Sequence, residues 1–357
     1  MSVVGGAPLP TEVIPITTDK RKSFFARIWS AFLAPYRRSQ GVARVMLGVG
    51  TAVTSAMFLI AVFAPVVAPY GFNQVSADGE RFPKQAAPSS EHWFGTSVQT
   101  YDVFSRVVWG TRTALEVVAL SLVASVILGV LLGLISGYFG RWLDRGLVLI
   151  MDALFAFPFL LLAIVIAFLL SDKIGGGIAT AAVAITVVYV PQYFRLVRNS
   201  TVSAREATYV EAARTIGAKP GTIMYRYLLS NVVQSVPVIA TLNAADAIGT
   251  LAGLGFLGYG IQPTEAAEWG YDLFRAVPDA TAGIWWTATF PGLAIVILVT
   301  GLTLVGEGLN ETLNPTLRRR RLLTVHLPER GSPPQHPAVP DQNVEAQDPS
   351  APPEVTR

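Results

Sequence analysis

The chain has 357 residues and no cysteine, which excludes disulfides, zinc–thiolate sites and thiol nucleophiles. Only 14% of its residues are charged and the mean hydropathy is +0.47, so this composition, with apolar runs longer than about 18 residues, indicates an integral membrane protein rather than a soluble one. The net charge of +3 does not indicate nucleic-acid binding, because Lys and Arg concentrate beside the ends of the apolar runs, where they set topology.

Residues 1–44 form a polar, basic segment that is predicted to be cytoplasmic. Its aromatic and aliphatic side chains, between Phe24 and Leu33, predict either an apolar face along the membrane surface or a disordered tail. Because about 40 residues precede the first apolar run, we expect no cleavable signal peptide. The first span is predicted at about residues 45–67, which carry no charge.

Residues 68–113 are too polar to cross a membrane and are predicted to form an extracytoplasmic loop. They end in three motifs, Gly95-Thr96, Asp102-Val-Phe-Ser-Arg106 and Gly110-Thr-Arg112. In this order the motifs resemble the start of the second span in C-type permease subunits of dipeptide, oligopeptide and nickel ABC importers. Three positions differ from the commonest residues there: Ser97, Thr100 and Tyr101. A structural loop anchored by an Arg/Asp pair is a simpler interpretation that is compatible with the resemblance.

Three further spans are predicted before the next polar stretch. The second covers about residues 115–134, and the third ends near residue 170 after Asp152 and Pro158 have interrupted its apolar run. The fourth covers about residues 178–193, with Pro191 near its inner end. These runs have the length and apolar character expected of membrane-crossing helices.

A polar, basic stretch at residues 203–231, called the elbow below, separates the fourth span from the fifth. Ser203 and Glu206 have the spacing of a capping box, which predicts the start of a short helix. Gly217 is predicted to end this helix and Pro220 to begin a second one. Apolar residues recur at helical intervals in both: Val210, Ala213 and Ile216, then Ile223, Met224, Tyr227 and Leu228. Since the elbow has no core of its own, its small, Ala-rich face predicts docking into a partner's groove.

The elbow also resembles a known family. Glu211-Ala212-Ala213, then Gly217, then Leu229 resemble the EAA coupling loop of ABC-importer permeases, whereas Tyr227 and Ser230 stand where Ile and Pro are usual. The resemblance implies a cytoplasmic contact with an ATP-hydrolysing subunit. The coupling residues that it implies are Glu211, Ala212, Ala213, Gly217, Tyr227 and Leu229. We expect Glu211 to interact with Arg214 or with the partner; an ordinary Ala-rich helix is the alternative interpretation.

The last part of the chain carries two more spans, at about residues 232–259 and 285–305, within a core region of residues 114–310. Blocks in both resemble the same C-type subunits, but Leu251 stands where those proteins commonly carry Glu. The loop between them predicts either a solvated segment or a contact with a binding protein, since it sets four acids against Arg275: Glu265, Glu268, Asp272 and Asp279. Residues 311–357 lack periodicity and are predicted to be a largely disordered cytoplasmic tail.

The distribution of charge predicts the topology. Six spans place both termini and the elbow on one side, which holds most of the basic residues, including Arg195, Arg198 and Arg214. The acidic loop lies on the opposite side. The positive-inside rule therefore predicts that the elbow and both termini are cytoplasmic in a bacterial cell membrane.

No pattern in the sequence indicates catalysis. None of the lysines follows the glycines of a phosphate-binding loop, so we expect ATP and Mg²⁺ to bind to partner subunits. His92, His326 and His336 lack metal-ligand spacing, and we interpret their positions as chance. We expect no catalytic residue, cofactor or metal in this chain.

Polar residues within the predicted spans are candidates for a translocation path, because a carboxylate at membrane depth usually faces a bundle interior or a wet path. Asn243 and Asp246 in the fifth span are the first candidates, with a helix–helix hydrogen bond as the alternative. Asp152 in the third span is another, with bonding to neighbouring helices as its alternative.

We therefore predict an all-α integral membrane protein with six transmembrane helices, N-in and C-in, and the type I importer fold that the resemblance implies. The resemblance further implies a permease subunit of an ATP-driven peptide importer, together with a homologous B-type permease, two ATPase subunits and an extracytoplasmic binding protein. Nickel and glutathione are alternative substrates, and an ion-coupled secondary transporter or a membrane enzyme are alternative classes. We expect contact with membrane lipid and none with nucleic acid.

Overall fold

A computed structural model of the chain describes residues 36, 37 and 39–313, and these are mostly helical. The helices are α1 (Val42–Val62), α2 (Ala64–Val67), α3 (Val103–Phe139), α4 (Arg141–Ala156), α5 (Phe159–Ile174), α6 (Gly177–Ala204), α7 (Thr208–Thr215), α8 (Pro220–Thr222), α9 (Leu229–Val232), α10 (Val236–Phe256), α11 (Trp269–Thr281) and α12 (Trp286–Leu313). A π-helical turn, Ile223–Leu228, joins α8 to α9. Strands β1 (Ser76–Ala77) and β2 (Glu80–Arg81) form a small antiparallel hairpin. The predicted face between Phe24 and Leu33 and almost all of the predicted tail lie outside the described residues.

Five of these helices are long and apolar enough to cross a membrane, namely α1, α3, α6, α10 and α12. The third predicted span is not one straight helix: α4 and α5 pass the same test only as a pair, bent by 101°. The bend lies at Pro158, which holds Phe157 in an extended conformation with ψ at 142°. Counting the bent pair as one span gives the six predicted crossings.

Two predicted spans are parts of longer helices. Helix α3 begins at Val103 and has 37 residues, so the end of the predicted loop at residues 68–113 is already helical. The side chain of Asp102 explains this start, because it accepts a hydrogen bond from the Ser105 backbone N–H at 2.7 Å and so caps the helix. Helix α6 likewise continues past Pro191 as far as Ala204.

The centre of the fold is the contact between α3 and α6. Three glycines, Gly129, Gly133 and Gly137, follow one another at four-residue spacing on the face of α3 that meets α6. A Cβ atom at Gly133 would lie 2.7 Å from the Phe194 carbonyl oxygen, closer than real Cβ atoms approach. Further along, the Ser125 hydroxyl donates to the Thr186 carbonyl at 3.2 Å. Small residues therefore bring the two backbones into direct contact.

Residues 68–102 and α11 form a second packed unit, called the loop platform below. Arg106 at the start of α3 is 3% exposed, and its guanidinium forms an ion pair with Asp272 of α11 at 2.7 Å. The Gln85 amide donates to Asp279 at 2.6 Å, and the Trp286 indole donates to the Thr96 carbonyl at 3.2 Å. These bonds fix the loop to α11 and to α12.

The platform corrects two interpretations made from the sequence. Residues 261–284 are not a solvated loop, because they contain α11 and because Glu268 and Asp279 are buried. His92 is not placed by chance either: it is buried, and its Nδ1 is hydrogen bonded to Asp102 at 2.9 Å. The first error arose because charged residues in a loop were assumed to face water.

Glu268 caps α11 from an apolar site. Its two carboxyl oxygens accept the backbone N–H groups of Gly270 and Tyr271, each at 2.7 Å. Burial raises the pKa of Glu268 to about 8, although these two hydrogen bonds oppose the rise. Burial also raises the pKa of Asp272, and the nearby guanidinium of Arg106 opposes that rise.

Candidate functional site

The elbow begins with a short helix, α7. The predicted capping box is wrong, because Ser203 lies inside the last turn of α6 and the residue before α7 is Ala207, whose side chain makes no cap. Gly217 does end the helical segment: its φ is +80°, in the region that favours glycine, and its N–H donates to the Arg214 carbonyl at 2.9 Å.

The second half of the elbow starts at Pro220, as predicted, and continues through a π-helical turn. Pro220 occupies the first turn of α8, where its missing N–H leaves no intrahelical bond unmade. The wider turn at Ile223–Leu228 was not predicted, since nothing in the sequence distinguishes it from an ordinary helix. Such turns occur mostly as single-turn insertions in α-helices, frequently at functional sites.

Apolar side chains hold the elbow against the rest of the protein. Val210 and Ala213 of α7 and Ile223 and Leu228 of the π-helical turn are at most 1% exposed, and all four join the main hydrophobic core. Burying a side chain the size of Ile223 stabilises by about 1.5–3 kcal/mol. Ile216 departs from the predicted apolar stripe: it is 79% exposed, because α7 has already ended at Thr215.

The opposite side of α7 is free for a partner. Glu211, Ala212 and Thr215 are exposed together on it, and Ile216 is exposed just after the helix ends. In the part of the chain that the structure describes, Glu211 forms no ion pair, and Arg214 instead places its guanidinium over the ring of Tyr138 in α3, 5.6 Å from the centroid. The motif therefore presents an uncommitted carboxylate beside small side chains.

Polar contacts fix the orientation of the elbow. The Arg205 guanidinium donates to the Gly137 carbonyl at the end of α3, at 2.8 Å. The Asn231 amide donates to the Tyr209 hydroxyl at 2.9 Å and so links the two halves of the elbow. With its buried anchors, this arrangement can transmit a force on the exposed face of α7 to α3 and α6.

The three candidates for a translocation path occupy different surroundings. Asn243 is 2% exposed and its amide donates to the Gln192 side chain of α6 at 2.9 Å, so it joins two helices. Asp246 is exposed. Asp152 of α4 forms an exposed ion pair with Arg195 of α6 at 2.7 Å. The structure thus brings Asn243 against α6 but does not bring the three candidates together.

Comparison with known proteins identifies the family. Residues 129–319 match the family described as "Binding-protein-dependent transport system inner membrane component". A dipeptide transport system permease protein of Alkalihalophilus pseudofirmus is 37% identical over 76% of this chain and 86% of its own length. A glutathione transport system permease protein of Pectobacterium atrosepticum is 35% identical over 85% of this chain and 96% of its own. The chain belongs to this family of importer permeases.

The family match confirms the permease prediction and the helical membrane fold. A glutathione transport system permease protein of Escherichia coli O157:H7 is also similar, with 36% identity over 81% of this chain and 91% of its own. Among solved structures, an inward-facing form of the MetNI methionine ABC transporter matches with 21% identity and a TM-score of 0.47, covering 58% of this chain and 96% of that chain. The protein is a multi-pass membrane permease of an ABC importer, a transport component that works with other subunits.

The permease carries functional candidates that sequence reasoning missed. Gln192, Arg195 and Asn199 follow one another at spacings of three and four residues in α6, which places them on one face of the helix. The same helix pairs Arg198 with Asp144 of α4. The spacing of the three polar residues was visible in the sequence, whereas their partners on α4 and α10 were not. Within the described residues, no group of His, Asp and Glu could hold a metal ion.

Proposed function

We propose that this permease forms half of the translocation path of an ATP-driven importer for short peptides. The relatives that support this substrate class are permeases for dipeptides and for glutathione, which is itself a tripeptide. Nickel, the other substrate considered from the sequence, has no support among these relatives. The second half of the path is supplied by a homologous B-type permease, and an extracytoplasmic binding protein delivers the peptide.

The elbow is the coupling site in this proposal. The observation that carries it is the two-sided structure of α7, with Val210 and Ala213 buried in the core and Glu211 and Ala212 exposed. A partner can shift the permease between states only through contacts that differ between them, and an anchored helix transmits such contacts without deforming. Two ATPase subunits, which bind ATP and Mg²⁺, supply the movement. The positive-inside pattern supports a cytoplasmic elbow, on the side of the membrane where ATP is present.

The coupling role is tested by Glu211→Lys in the complete importer, reconstituted in vesicles. We expect ATP-dependent peptide uptake to fall at least tenfold, because the reversed charge opposes docking of the ATPase subunit. The matched control is Glu80→Lys, which reverses an equally exposed acid on β2 of the loop platform and leaves uptake unchanged.

Uptake at the wild-type rate in Glu211→Lys would contradict the coupling role. The side of the membrane is checked in parallel with Thr215→Cys, since the chain has no other cysteine to react. A maleimide that cannot cross membranes should label this residue in inverted vesicles and not in intact cells.

A further inference from the structure

Helix α6, which is long enough to span the bilayer, carries a polar face near its cytoplasmic end. Gln192 and Asn199 are exposed on this face and Arg195 is half-buried. Arg195 lies about 14 Å before the end of α6 at Ala204 and just beyond the predicted fourth span, where the translocation path would open to the cytoplasm. A charged side chain at this position faces water or a protein partner rather than the lipid interior, where it would cost several kcal/mol.

Two neighbouring arginines on α6 differ in how fully they are paired. Arg198 holds Asp144 through two bonds, Nε to Oδ1 at 2.5 Å and Nη2 to Oδ2 at 2.7 Å, and their side chains are 27% and 18% exposed. Arg195 holds Asp152 through one contact, Nη2 to Oδ1 at 2.7 Å, and these side chains are 40% and 54% exposed. A guanidinium has five N–H donors, so Arg195 keeps donors for a further acceptor. The Arg198–Asp144 pair therefore holds α6 against α4, whereas the Arg195 guanidinium can still bind another molecule.

An aromatic ring orients the available arginine. The Arg195 guanidinium lies over the ring of Phe155, 4.0 Å from its centroid, and Phe155 is itself exposed. A stacked guanidinium loses little freedom when it binds a carboxylate, since its plane is already fixed. One exposed surface thus presents a cation, an anion and an apolar ring. These three features complement a zwitterionic peptide with its carboxylate, its ammonium and its side chains.

We propose that Arg195 and Asp152 form a binding site for the two termini of a short peptide in the translocation path, Arg195 for the carboxylate and Asp152 for the ammonium. This inference rests on the proposed function. In the unoccupied site the two side chains neutralise each other, and the peptide's termini replace that single contact with two. The polar face of Gln192 and Asn199 continues the wetted surface one turn to either side.

The test uses the complete importer in vesicles, with L-alanyl-L-alanine, its C-terminal amide and glutathione as probes. Uptake is measured per ATP hydrolysed, with the binding protein loaded with the probe and present at a saturating concentration. Differences in how tightly the binding protein holds each probe then do not affect the result. For Arg195→Gln we expect uptake of the free-acid dipeptide per ATP to fall at least tenfold, and that of the amide less than twofold. Arg195→Lys should retain part of the activity, because it keeps the charge.

Two further variants separate peptide binding from a merely structural role. The double variant with Arg195→Asp and Asp152→Arg restores an ion pair but exchanges the positions of the positive and negative charges. We therefore expect uptake to stay low. The control Arg198→Gln, one turn along α6, should lower the melting temperature of the complex without changing the preference for the free acid over the amide.

Three results would overturn the inference while leaving the proposed function intact: unchanged uptake in Arg195→Gln, equal losses for the free acid and the amide, or restored uptake in the charge exchange. The last two would assign the pair to folding or to contact with the partner permease. If the wild-type importer showed no ATP-dependent uptake of either alanyl-alanine or glutathione, the proposed function itself would fail, and this inference with it.

Discussion

The loop platform and the elbow are both polar segments outside the apolar spans, yet they are stabilised in opposite ways. In the platform three charged side chains are turned inward: Arg106 and Asp272 pair with each other, and Glu268 caps α11 from a buried site. In the elbow, apolar residues such as Val210 and Leu228 are turned inward, and charged ones such as Glu211 remain exposed. The platform uses its buried charged groups in contacts within the chain, whereas the elbow leaves Glu211 exposed for a partner.

This contrast shows that charged residues in the loops of a membrane protein can have either of two roles. A buried ion pair is costly to desolvate and adds little net stability, but it is very sensitive to loss of one partner. An exposed charge adds little to stability, whether or not it is paired. Substitutions at charged positions should therefore destabilise the platform, whereas in the elbow they should weaken contact with the partner without unfolding it.

The largest expected effect is that of Arg106→Ala. It leaves Asp272, whose side chain is only 13% exposed, without its partner and removes the bond to the Phe72 carbonyl, so we expect a loss of about 3–5 kcal/mol in the stability of the platform. Thermal unfolding of the purified importer measures the loss. Arg112→Ala is the matched control on the same helix: Arg112 and Glu116 form an exposed pair, whose loss should cost at most about 0.5 kcal/mol. Equal melting temperatures for the two variants would contradict the contrast.

The second effect is a dependence of platform stability on pH. Because burial raises the pKa of Glu268 from 4.5 to about 8, the folded protein binds a proton that the unfolded chain has already lost between these two values. Stability is therefore greatest below pH 4.5 as far as this group is concerned, and it falls as the pH rises toward 8, by up to about 1.4 kcal/mol per pH unit. The raised pKa of Asp272 acts in the same direction.

Glu268→Gln checks this pH dependence. The variant loses one of the two backbone hydrogen bonds at the cap but no longer titrates, so its melting temperature should be lower at pH 5 and should change less between pH 5 and pH 8. A slope as steep as that of the wild type would show that Glu268 is not the group responsible.

The smallest effect concerns the elbow and compares two glycines with open space around them. At Gly217 the positive φ of 80° makes Ala unfavourable by about 1–2 kcal/mol, although nothing lies within 4 Å of an added Cβ. At Gly221, in helix α8, Ala is tolerated or slightly stabilising. Hydrogen exchange of elbow amides should become about fivefold to thirtyfold faster in Gly217→Ala. It should stay unchanged or slow down in Gly221→Ala, and equal exchange in both would argue against a conformational role for Gly217.

Local signals in the sequence predicted much of the architecture. Apolar runs predicted the spans, and Gly217 and Pro220 predicted the two ends of the turn in the elbow, because each acts through its own backbone geometry. Pro158 was visible as an interruption, but the 101° angle that it produces depends on what α4 and α5 pack against. The capping box failed at Ser203 because α6 continued through it, supported by packing that the local pattern does not contain.

What the sequence did not reveal are contacts between distant residues. Arg106 and Asp272 are separated by 166 positions, so neither carries any sign of the other. The same holds for Arg195 and Asp152, and for Asn243, which was a candidate for the path and lies against Gln192 between two helices. In each of these pairs the fold determines whether a polar side chain is held by contacts within the chain or is free to bind another molecule.

The glycine contact between α3 and α6 connects the two contrasted regions. Helix α3 starts in the platform, where Asp102 and Arg106 hold it, and α6 ends at the elbow. Because Gly133 and Gly137 contribute no side chain to this contact, we expect a displacement of one helix to carry the other with it. A single methyl group added at Gly133, near the elbow end of α3, would press on the Phe194 carbonyl and so disturb the connection between the elbow and the platform.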